Sequence, residues 1–296
     1  MIKVNNVDVE LNRFPDGTLN LKGNPKLNYG DVLISWHYHD DTEFMAVAFL
    51  TKYYQAHGNK VRLYLPYVPN ARMDRTESSE DIFAIKYFGE LINSLNFEEV
   101  FVVDVHSSVT IASIKNCRFI GNIIERQVIE KIYEIEGELP VVFFPDEGAM
   151  KRYSKNLYIP FAFGMKKRNW SNGKILGLDV LGMTSEEIKG KNILIWDDIC
   201  SYGGTFYHAA KKLKEMGANN IYLMVTHCEP SIHHGRFGDG NDNLLDTGLI
   251  KKVFTTNSIY DLFTSEKICV VNTNVEHRNN EYFICFSYDK EDNTNE

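Results

Sequence analysis

Two adjacent carboxylates follow an apolar run and precede a loop that contains two glycines. Residues 193–196 have the length and composition of a buried strand, and Asp197 and Asp198 come directly after them. Ionised carboxylates accept hydrogen bonds, and oxygen ligands suit magnesium, so this pair has the chemistry to hold two neighbouring ribose hydroxyls or a hydrated Mg²⁺. The alternative interpretation is a plain strand-to-helix turn with acidic residues.

The loop from Ser201 to Thr205 adds a second chemical function. It contains Gly203 and Gly204 and leads into a helical pattern over 206–216. Glycines allow backbone N–H groups to close around an anion, and the start of a helix contributes the positive end of its dipole. This pattern predicts a phosphate site beside the two carboxylates.

Further candidate residues follow other predicted strands. Arg72, Asp74 and Arg75 form a loop suited to a polyphosphate because guanidinium groups bind its oxygens in pairs, although a surface ion pair gives the same spacing. Asp104-Val105-His106 could bind a metal or a metal-bound phosphate, and a structural histidine is the alternative.

One more acid and a cluster of cations extend this set. Asp146 follows the apolar run that ends at Phe144. Lys166, Lys167 and Arg168 precede a polar stretch, and such a cluster either forms a solvated face or closes over a transferring phosphoryl group and neutralises its charge.

Strand and helix patterns alternate along most of the chain. Strand patterns cover 31–36, 61–66, 100–105, 141–144, a stretch near 158–163, 192–197 and 221–226, and helix patterns cover 43–56, 81–95 and 206–216. Near-continuous apolar strands alternating with helices predict an α/β fold with parallel sheets. The similarity of 91–106 to 213–227 is what a duplicated domain would leave, although convergence of two βαβ units is an equal alternative.

Length and composition limit the function classes. The chain has 296 residues, 44% of them hydrophobic and 24% charged, with a net charge of −8. This charge disfavours broad binding to nucleic acids or anionic membranes, which need a basic face. Five scattered cysteines, no signal-peptide pattern and no apolar run of membrane-spanning length lead us to expect reduced thiols in a cytoplasmic protein.

The loop from Asp197 to Thr205 closely resembles the phosphoribosyl-pyrophosphate loop of type I phosphoribosyltransferases and of ribose-phosphate pyrophosphokinases. Further motifs occur in the order found in the pyrophosphokinases, over roughly residues 12–275: Phe14-Pro15-Asp16-Gly17 resembles Phe-Ser-Asp-Gly, Asn70–Arg75 resembles Tyr-Ala-Arg-Gln-Asp-Arg, Asp104-Val105-His106 resembles Asp-Leu-His, Pro145-Asp146 resembles Pro-Asp-x-Gly, and Lys166 with Arg168 resembles the flexible-loop cations. A plain phosphoribosyltransferase lacks the second and third of these motifs, which favours the pyrophosphokinases.

The resemblance implies a fold and an activity. The fold would consist of two tandem phosphoribosyltransferase-like domains, each a mostly parallel sheet flanked by helices, over residues 1–138 and 139–287, with a flexible acidic tail over 288–296. The activity would be Mg²⁺-dependent transfer of the β,γ-pyrophosphoryl group of ATP to the 1-hydroxyl of ribose 5-phosphate, with release of AMP. The partners would be these two substrates and further copies of the chain, as a dimer or a hexamer.

It also implies residue roles. These assign ATP binding to Phe14, Asp16, Arg72, Asp74, Arg75 and His106; metal contacts to His106 and Asp146; ribose-phosphate binding to Asp146, Asp197, Asp198, Ser201, Tyr202, Gly203, Gly204 and Thr205; and stabilisation of the transferred group to Lys166 and Arg168. In the family, the Phe-x-Asp-Gly element borders the ATP site of a neighbouring subunit.

The chain departs from the family pattern at several positions. Met73 replaces a glutamine and Thr18 an acid, which removes polar groups expected near adenine, and Ser201-Tyr202 replaces Asp-Thr in the phosphate loop. About two dozen family residues, including a first strand, have no counterpart before Leu11. Tyr202 raises the hypothesis that the acceptor is a larger 5-substituted ribose such as ADP-ribose, with neutral drift as the alternative.

Two other functions remain open from the sequence. A phosphoribosyltransferase would consume the pyrophosphorylated sugar, although the chain shows no obvious base-binding segment and has the length of two domains. A non-catalytic homologue would bind nucleotide or sugar phosphate and regulate a partner, although the residues expected to bind metal and to stabilise the transferred group are all present.

Overall fold

The computed structural model describes residues 1–22, 30–121, 124–168, 175–238, 240, 242–259, 265–278 and 281–288. The chain divides into two compact units. The N-terminal unit comprises residues 1–121 with 258–260, and the C-terminal unit comprises residues 122–257 and 261–296. Within the described residues, no helix has the length and apolarity that a membrane span requires.

The N-terminal unit is built on a mostly parallel sheet. Its elements are β1 (Ile2–Val4), β2 (Val7–Asp8), β3 (Asn12–Arg13), β4 (Leu19–Asn20), β5 (Asp31–Trp36), α1 (Glu43–Ala56), β6 (Lys60–Leu65), α2 (Ala84–Ser94), β7 (Val100–Val103), α3 (Ser108–Ser113) and β8 (Cys117–Ile120). The described strands pair in the order β2-β1-β5-β6-β7-β8, in which β5 to β8 are parallel and β1 and β2 are antiparallel. Strands β3 and β4 form a separate hairpin.

The strands of this unit carry its core. Four strand residues are fully buried and pack with buried side chains of α1 and α2: Val32, Ile34, Leu63 and Val102. Since strands β5, β6 and β7 are buried along most of their length, their sequences are mostly apolar. The packing fixes the carboxyl ends of β6 and β7 next to each other.

The C-terminal unit contains a larger mixed sheet. Its elements are α4 (Glu125–Glu136), β9 (Val141–Phe144), α5 (Glu147–Tyr153), β10 (Phe161–Arg168), β11 (Ile175–Leu181), α6 (Ser185–Ile188), β12 (Ile193–Cys200), α7 (Gly204–Glu215), β13 (Ile221–Cys228), β14 (Lys252–Thr256), β15 (Ile268–Arg278) and β16 (Glu281–Tyr288). The described strands pair in the order β11-β10-β9-β12-β13-β14-β15-β16. The six inner strands are parallel, and the edge strands β11 and β16 are antiparallel to their neighbours.

Helix α4 belongs to the C-terminal unit. Its residues Val128 and Ile132 are buried together with Phe144, Trp196 and Tyr222 on one face of the larger sheet. A division after residue 138, as expected from the sequence, would assign this helix to the first domain. The apolar face of α4 explains the difference, because it is buried against strands that follow it in the chain.

The predicted α/β fold with two mostly parallel sheets is confirmed, and individual boundaries differ. Helix α2 begins at Ala84 rather than at 81, because Asp81 accepts hydrogen bonds from the N–H groups of Glu77 and Ser78 and holds a turn there. Strand β10 begins after Pro160 and continues to Arg168. The sequence patterns did not predict β1, β2 or the antiparallel pair β15 and β16, and the proposed tail beyond Tyr288 lies outside the described residues.

Candidate functional site

The predicted ribose-phosphate residues gather at one edge of the C-terminal sheet. Strands β9 and β12 are parallel neighbours, with Ile193 to Ile195 paired to Val141 to Phe143. Asp146 follows β9. Asp197 and Asp198 lie within the last four residues of β12, because this strand ends at Cys200 rather than at residue 197. The carboxyl ends of parallel strands are where open α/β sheets bind ligands.

Asp146 begins helix α5. Its carboxylate accepts a hydrogen bond of 3.0 Å from the backbone N–H of Ala149 and so caps the first turn of that helix. This contact fixes the carboxylate at the sheet edge. Its charge is close enough to Asp197 to affect the ionisation of that residue.

The negatively charged form of Asp197 is disfavoured in this structure. Burial raises the pKa of its carboxyl well above the ordinary value of 3.8, and the neighbouring charges of Asp198 and Asp146 raise it further. The backbone N–H of Asp198 donates to Asp197 Oδ1 over 2.9 Å and opposes this shift only in part. A cation or hydroxyl donors from a ligand would stabilise the ionised form.

Asp198 is held by a residue that the sequence reasoning missed. It is 2% exposed, and its Oδ1 lies 3.1 Å from a guanidinium nitrogen of Arg152. The Arg152 guanidinium also lies 5.3 Å from the centre of the Tyr153 ring, which stacks on Trp196 with centroids 4.7 Å apart. Asp198 is therefore part of a buried ion pair, which leaves Asp197 as the carboxylate with the less compensated charge.

The loop from Ser201 to Thr205 has the geometry of an anion site. Gly203 has a φ of 92°, and a Cβ atom there would lie 2.7 Å from Leu244, so the position requires glycine on both grounds. Helix α7 begins at Gly204, and Thr205 lies in its first turn, where N–H groups have no partner within the helix. The side chain of Tyr202 is 58% exposed beside this loop.

The hydroxyl of Ser201 already takes part in a hydrogen-bonded chain. Ser201 Oγ lies 3.2 Å from Ser231 Oγ, and Ser231 Oγ donates to Glu229 Oε2 over 3.0 Å. Ser231 and Glu229 follow β13, the neighbour of β12. The sequence reasoning missed both, since about thirty residues separate them from the loop and no spacing pattern links them.

Two buried thiols lie directly below the loop. Cys200 and Cys228 are paired across β12 and β13 and are fully buried. The pKa of the Cys200 thiol is raised well above its ordinary value, mainly by a hydrogen bond with Cys228 and also by burial. A thiol held protonated is a poor nucleophile, so Cys200 packs as a small apolar residue.

Lys166 and Arg168 lie on a strand rather than in a loop. Strand β10 extends through Arg168 and pairs antiparallel with β11, and the register shifts between Lys167 and Arg168. The polar stretch 169–174 and the side chains of both cations lie outside what the structure describes. Their assigned role in stabilising the transferred group remains a prediction.

The predicted ATP residues gather in the N-terminal unit. Arg72, Asp74 and Arg75 lie in the loop after β6, and His106 follows β7, the parallel neighbour of β6. Both arginines are exposed and Asp74 is partly exposed. The topology therefore brings these loops to the same sheet edge, as polyphosphate binding would require.

Phe14 and Asp16 lie in the turn between β3 and β4. Phe14 is 44% exposed, and Asp16 accepts hydrogen bonds from the hydroxyl and the N–H of Thr18 at 2.7 and 3.0 Å. These bonds lower the pKa of Asp16 and explain Thr18, the residue that replaces an acid of the family pattern. Met73, the replacement for glutamine, is 46% exposed.

Metal binding remains a prediction from the sequence. In the residues that the structure describes, no three His, Cys, Asp or Glu side chains form a group able to hold a metal ion by themselves. Magnesium commonly binds through one or two carboxylates together with water and substrate phosphates. The disfavoured negative form of Asp197, to which the charge of Asp146 contributes, is compatible with that mode.

Similarity to known proteins agrees with this geometry. The chain is 26% identical to the ribose-phosphate pyrophosphokinase of Pyrococcus abyssi over 228 residues. This alignment covers 75% of this chain and 77% of that enzyme. It is 26% identical over 257 residues to the enzyme of the same name from Pyrococcus furiosus, with 85% and 86% covered. The chain is a divergent relative of the ribose-phosphate pyrophosphokinases. No family model matches it.

A solved structure shows the same fold. Phosphoribosylpyrophosphate synthetase from Mycobacterium smegmatis superposes with a TM-score of 0.68 at 20% identity, over 90% of this chain and 86% of that one. The likeness of fold to that synthetase therefore extends over both units of the chain.

Arg152 can be tested as the cation that compensates the buried carboxylate of Asp198. Replacing Arg152 with alanine removes its cation from a buried carboxylate, and we expect the free energy of unfolding to fall by about 2–4 kcal/mol. Urea unfolding followed by tryptophan fluorescence measures this change. Lys151→Ala is the matched control, since its ion pair with Glu147 is exposed and its loss should change stability little. Equal losses in both variants would contradict the assignment.

Asp197 should make stability depend on pH in a defined direction. Its pKa is higher in the folded than in the unfolded chain, so the folded protein loses stability as pH rises from about 4 through the folded pKa. We expect Asp197→Asn to raise the melting temperature at pH 7.5 and to lose this advantage towards pH 4. Melting curves across that range measure it. A variant that melts below the wild type at pH 7.5 would contradict the assigned charge repulsion.

Proposed function

We propose that this protein transfers the β,γ-pyrophosphoryl group of ATP to the 1-hydroxyl of a ribose 5-phosphate-type acceptor. The main support is the Asp197–Asp198 pair, which is followed by a glycine loop at the start of the twelve-residue helix α7. The similarity of the chain to the ribose-phosphate pyrophosphokinases agrees with it. The ribose 1-oxygen bonds to the β-phosphorus, and the bond to the α,β-bridging oxygen breaks. The electron pair leaves with AMP, and the hydroxyl proton passes to solvent.

The C-terminal unit would bind the acceptor. Backbone N–H groups at Gly204 and Thr205 would donate to the 5-phosphate, and the left-handed backbone at Gly203 turns the chain towards them. Asp197 would accept hydrogen bonds from the ribose hydroxyls. Asp198 would contribute less, because Arg152 already occupies one of its oxygens.

The N-terminal unit would bind ATP. Arg72 and Arg75 would bind polyphosphate oxygens from the loop after β6, and His106 would contact the ATP phosphates or their metal ion. Phe14 and Asp16 would complete the ATP site of another subunit, so the proposal includes at least a dimer. The exposed Met73 offers no hydrogen bond to adenine, which predicts weaker base recognition than a glutamine would give.

Catalysis would rest on alignment and charge neutralisation. Phosphoryl transfer needs little covalent participation by the protein, and fixed cations that meet developing charge lower the barrier. Lys166 and Arg168 on β10 would supply these cations. Mg²⁺, when bound, would neutralise the ATP phosphates, with Asp146 and His106 as the protein contacts.

Tyr202 supports a second acceptor class. Its ring is 58% exposed next to the phosphate loop, where it could stack on a group attached beyond the 5-phosphate. ADP-ribose has such a group. We include a cytoplasmic location in the proposal, which the five scattered cysteines without a paired spacing favour.

Incubation with ATP, Mg²⁺ and single acceptors tests the function. We expect AMP and a 1-pyrophosphorylated ribose in equal amounts, identified by mass, with ribose 5-phosphate and ADP-ribose as the first two acceptors. AMP release separates this reaction from that of a phosphoribosyltransferase, which consumes the pyrophosphorylated sugar. Binding of both substrates without any AMP release would instead support the non-catalytic alternative.

The two β10 cations provide a mechanistic prediction. We expect Lys166→Ala and Arg168→Ala to lower kcat by about 10²-fold or more and to change ATP affinity much less, since the charge that they neutralise develops in the transition state. Steady-state kinetics with independent measurement of ATP binding checks this. Lys191→Ala, an exposed lysine of the same unit, is the control. An equal loss of turnover and affinity would contradict a transition-state role.

A further inference from the structure

The hydroxyl of Ser201 is hydrogen-bonded to Ser231, which is in turn hydrogen-bonded to Glu229. Ser231 Oγ lies between Ser201 Oγ at 3.2 Å and the Glu229 carboxylate at 3.0 Å. The chain starts in the loop between β12 and α7 and ends just beyond β13. All three residues are partly buried. This arrangement lies directly beside the proposed 5-phosphate site.

Counting protons fixes the direction of these hydrogen bonds. A serine hydroxyl has one proton to donate and two lone pairs, whereas an ionised carboxylate only accepts. Ser231 therefore donates its single proton to Glu229, and it must accept the hydrogen bond that it shares with Ser201. It follows that Ser201 is the donor in that bond and presents lone pairs, not its proton, to the ligand side of the loop.

We propose that Ser231 and Glu229 are positioning residues that set Ser201 as an acceptor and thereby weaken binding of a dianionic 5-phosphate monoester. This inference rests on the proposed function of the loop. The lone pairs of Ser201 repel phosphate oxygens, and the Glu229 charge adds to this repulsion. An acceptor whose 5-phosphate is a phosphodiester carries less negative charge at this position, so its binding is weakened less than that of a phosphate monoester.

The expected change in ribose 5-phosphate affinity depends on the competing hydrogen bond from Ser201 to Ser231. Ser201 can rotate to donate to a phosphate only by giving up its bond to Ser231, so the wild type gains little from that contact. One net hydrogen bond to a charged group corresponds to about a tenfold change in affinity. Freeing the Ser201 proton should therefore tighten ribose 5-phosphate binding by three- to tenfold.

Calorimetric titration of the full chain with ribose 5-phosphate, without ATP, tests the proposal. We expect Ser231→Ala to lower Kd by about three- to tenfold, because Ser201 then donates to the phosphate. Adding Ser201→Ala to that variant should remove the gain. Glu229→Gln should lower Kd through the lost charge alone, since its amide oxygen still accepts from Ser231 and leaves Ser201 the donor. Glu215→Gln, which removes an exposed charge from the end of α7, is the matched control.

Several outcomes would overturn the inference. An unchanged or higher Kd in Ser231→Ala, a gain that survives the double substitution, or an equal gain in Glu215→Gln would each contradict it. In turnover assays, the change should occur in the KM for ribose 5-phosphate and not in the KM for ATP. If no AMP is released but the Kd values shift as expected, the proposed reaction fails and the role of Ser231 and Glu229 holds.

Discussion

Burial of Asp198 at the edge of the C-terminal sheet requires a positive partner, and Arg152 provides it at 3.1 Å. A buried carboxylate without a cation would protonate or destabilise the fold. The partner comes from α5, whose start is fixed by Asp146, and Tyr153 from the same helix stacks on Trp196 of β12. One short helix thus supplies a cap, a cation and a stacked ring, and it determines which of the two adjacent acids is available to a ligand.

The remaining charge at this edge is negative and only partly balanced. Asp197 retains the repulsion of two neighbouring carboxylates, and Glu229 lies behind the phosphate loop, joined to Ser201 through Ser231. A folded protein tolerates such repulsion at a cost to its stability. A ligand that brings hydroxyl donors would relieve the same repulsion when it binds.

Sequence patterns predicted the residues of the candidate site but not the contacts among them. The apolar strands, the Asp197–Asp198 pair and the glycine loop follow local rules, since buried parallel strands and left-handed turns restrict residue types within a few positions. Arg152 could not be identified in this way, because an arginine on a short helix is typical of a solvated face. Ser231 meets Ser201 only through the pairing of β12 with β13, which no local pattern encodes. The β10–β11 pairing of Lys166 likewise depends on a partner strand.

The departures from the family pattern differ in their structural meaning. Thr18 is explained locally, since both of its donors bind Asp16 and stabilise the turn that presents Phe14. Ser201 and Tyr202 change the side chains of the loop itself: Ser201 is hydrogen-bonded to Ser231, and Tyr202 places an exposed ring before the two glycines. Gly203, Gly204 and Thr205 keep the residues of the family loop, and the backbone at Gly203 is left-handed before the start of α7. Since backbone N–H groups hold any phosphate while side chains discriminate among its substituents, divergence at Ser201 and Tyr202 would, under the proposed function, change the choice of acceptor more than the binding of an anion.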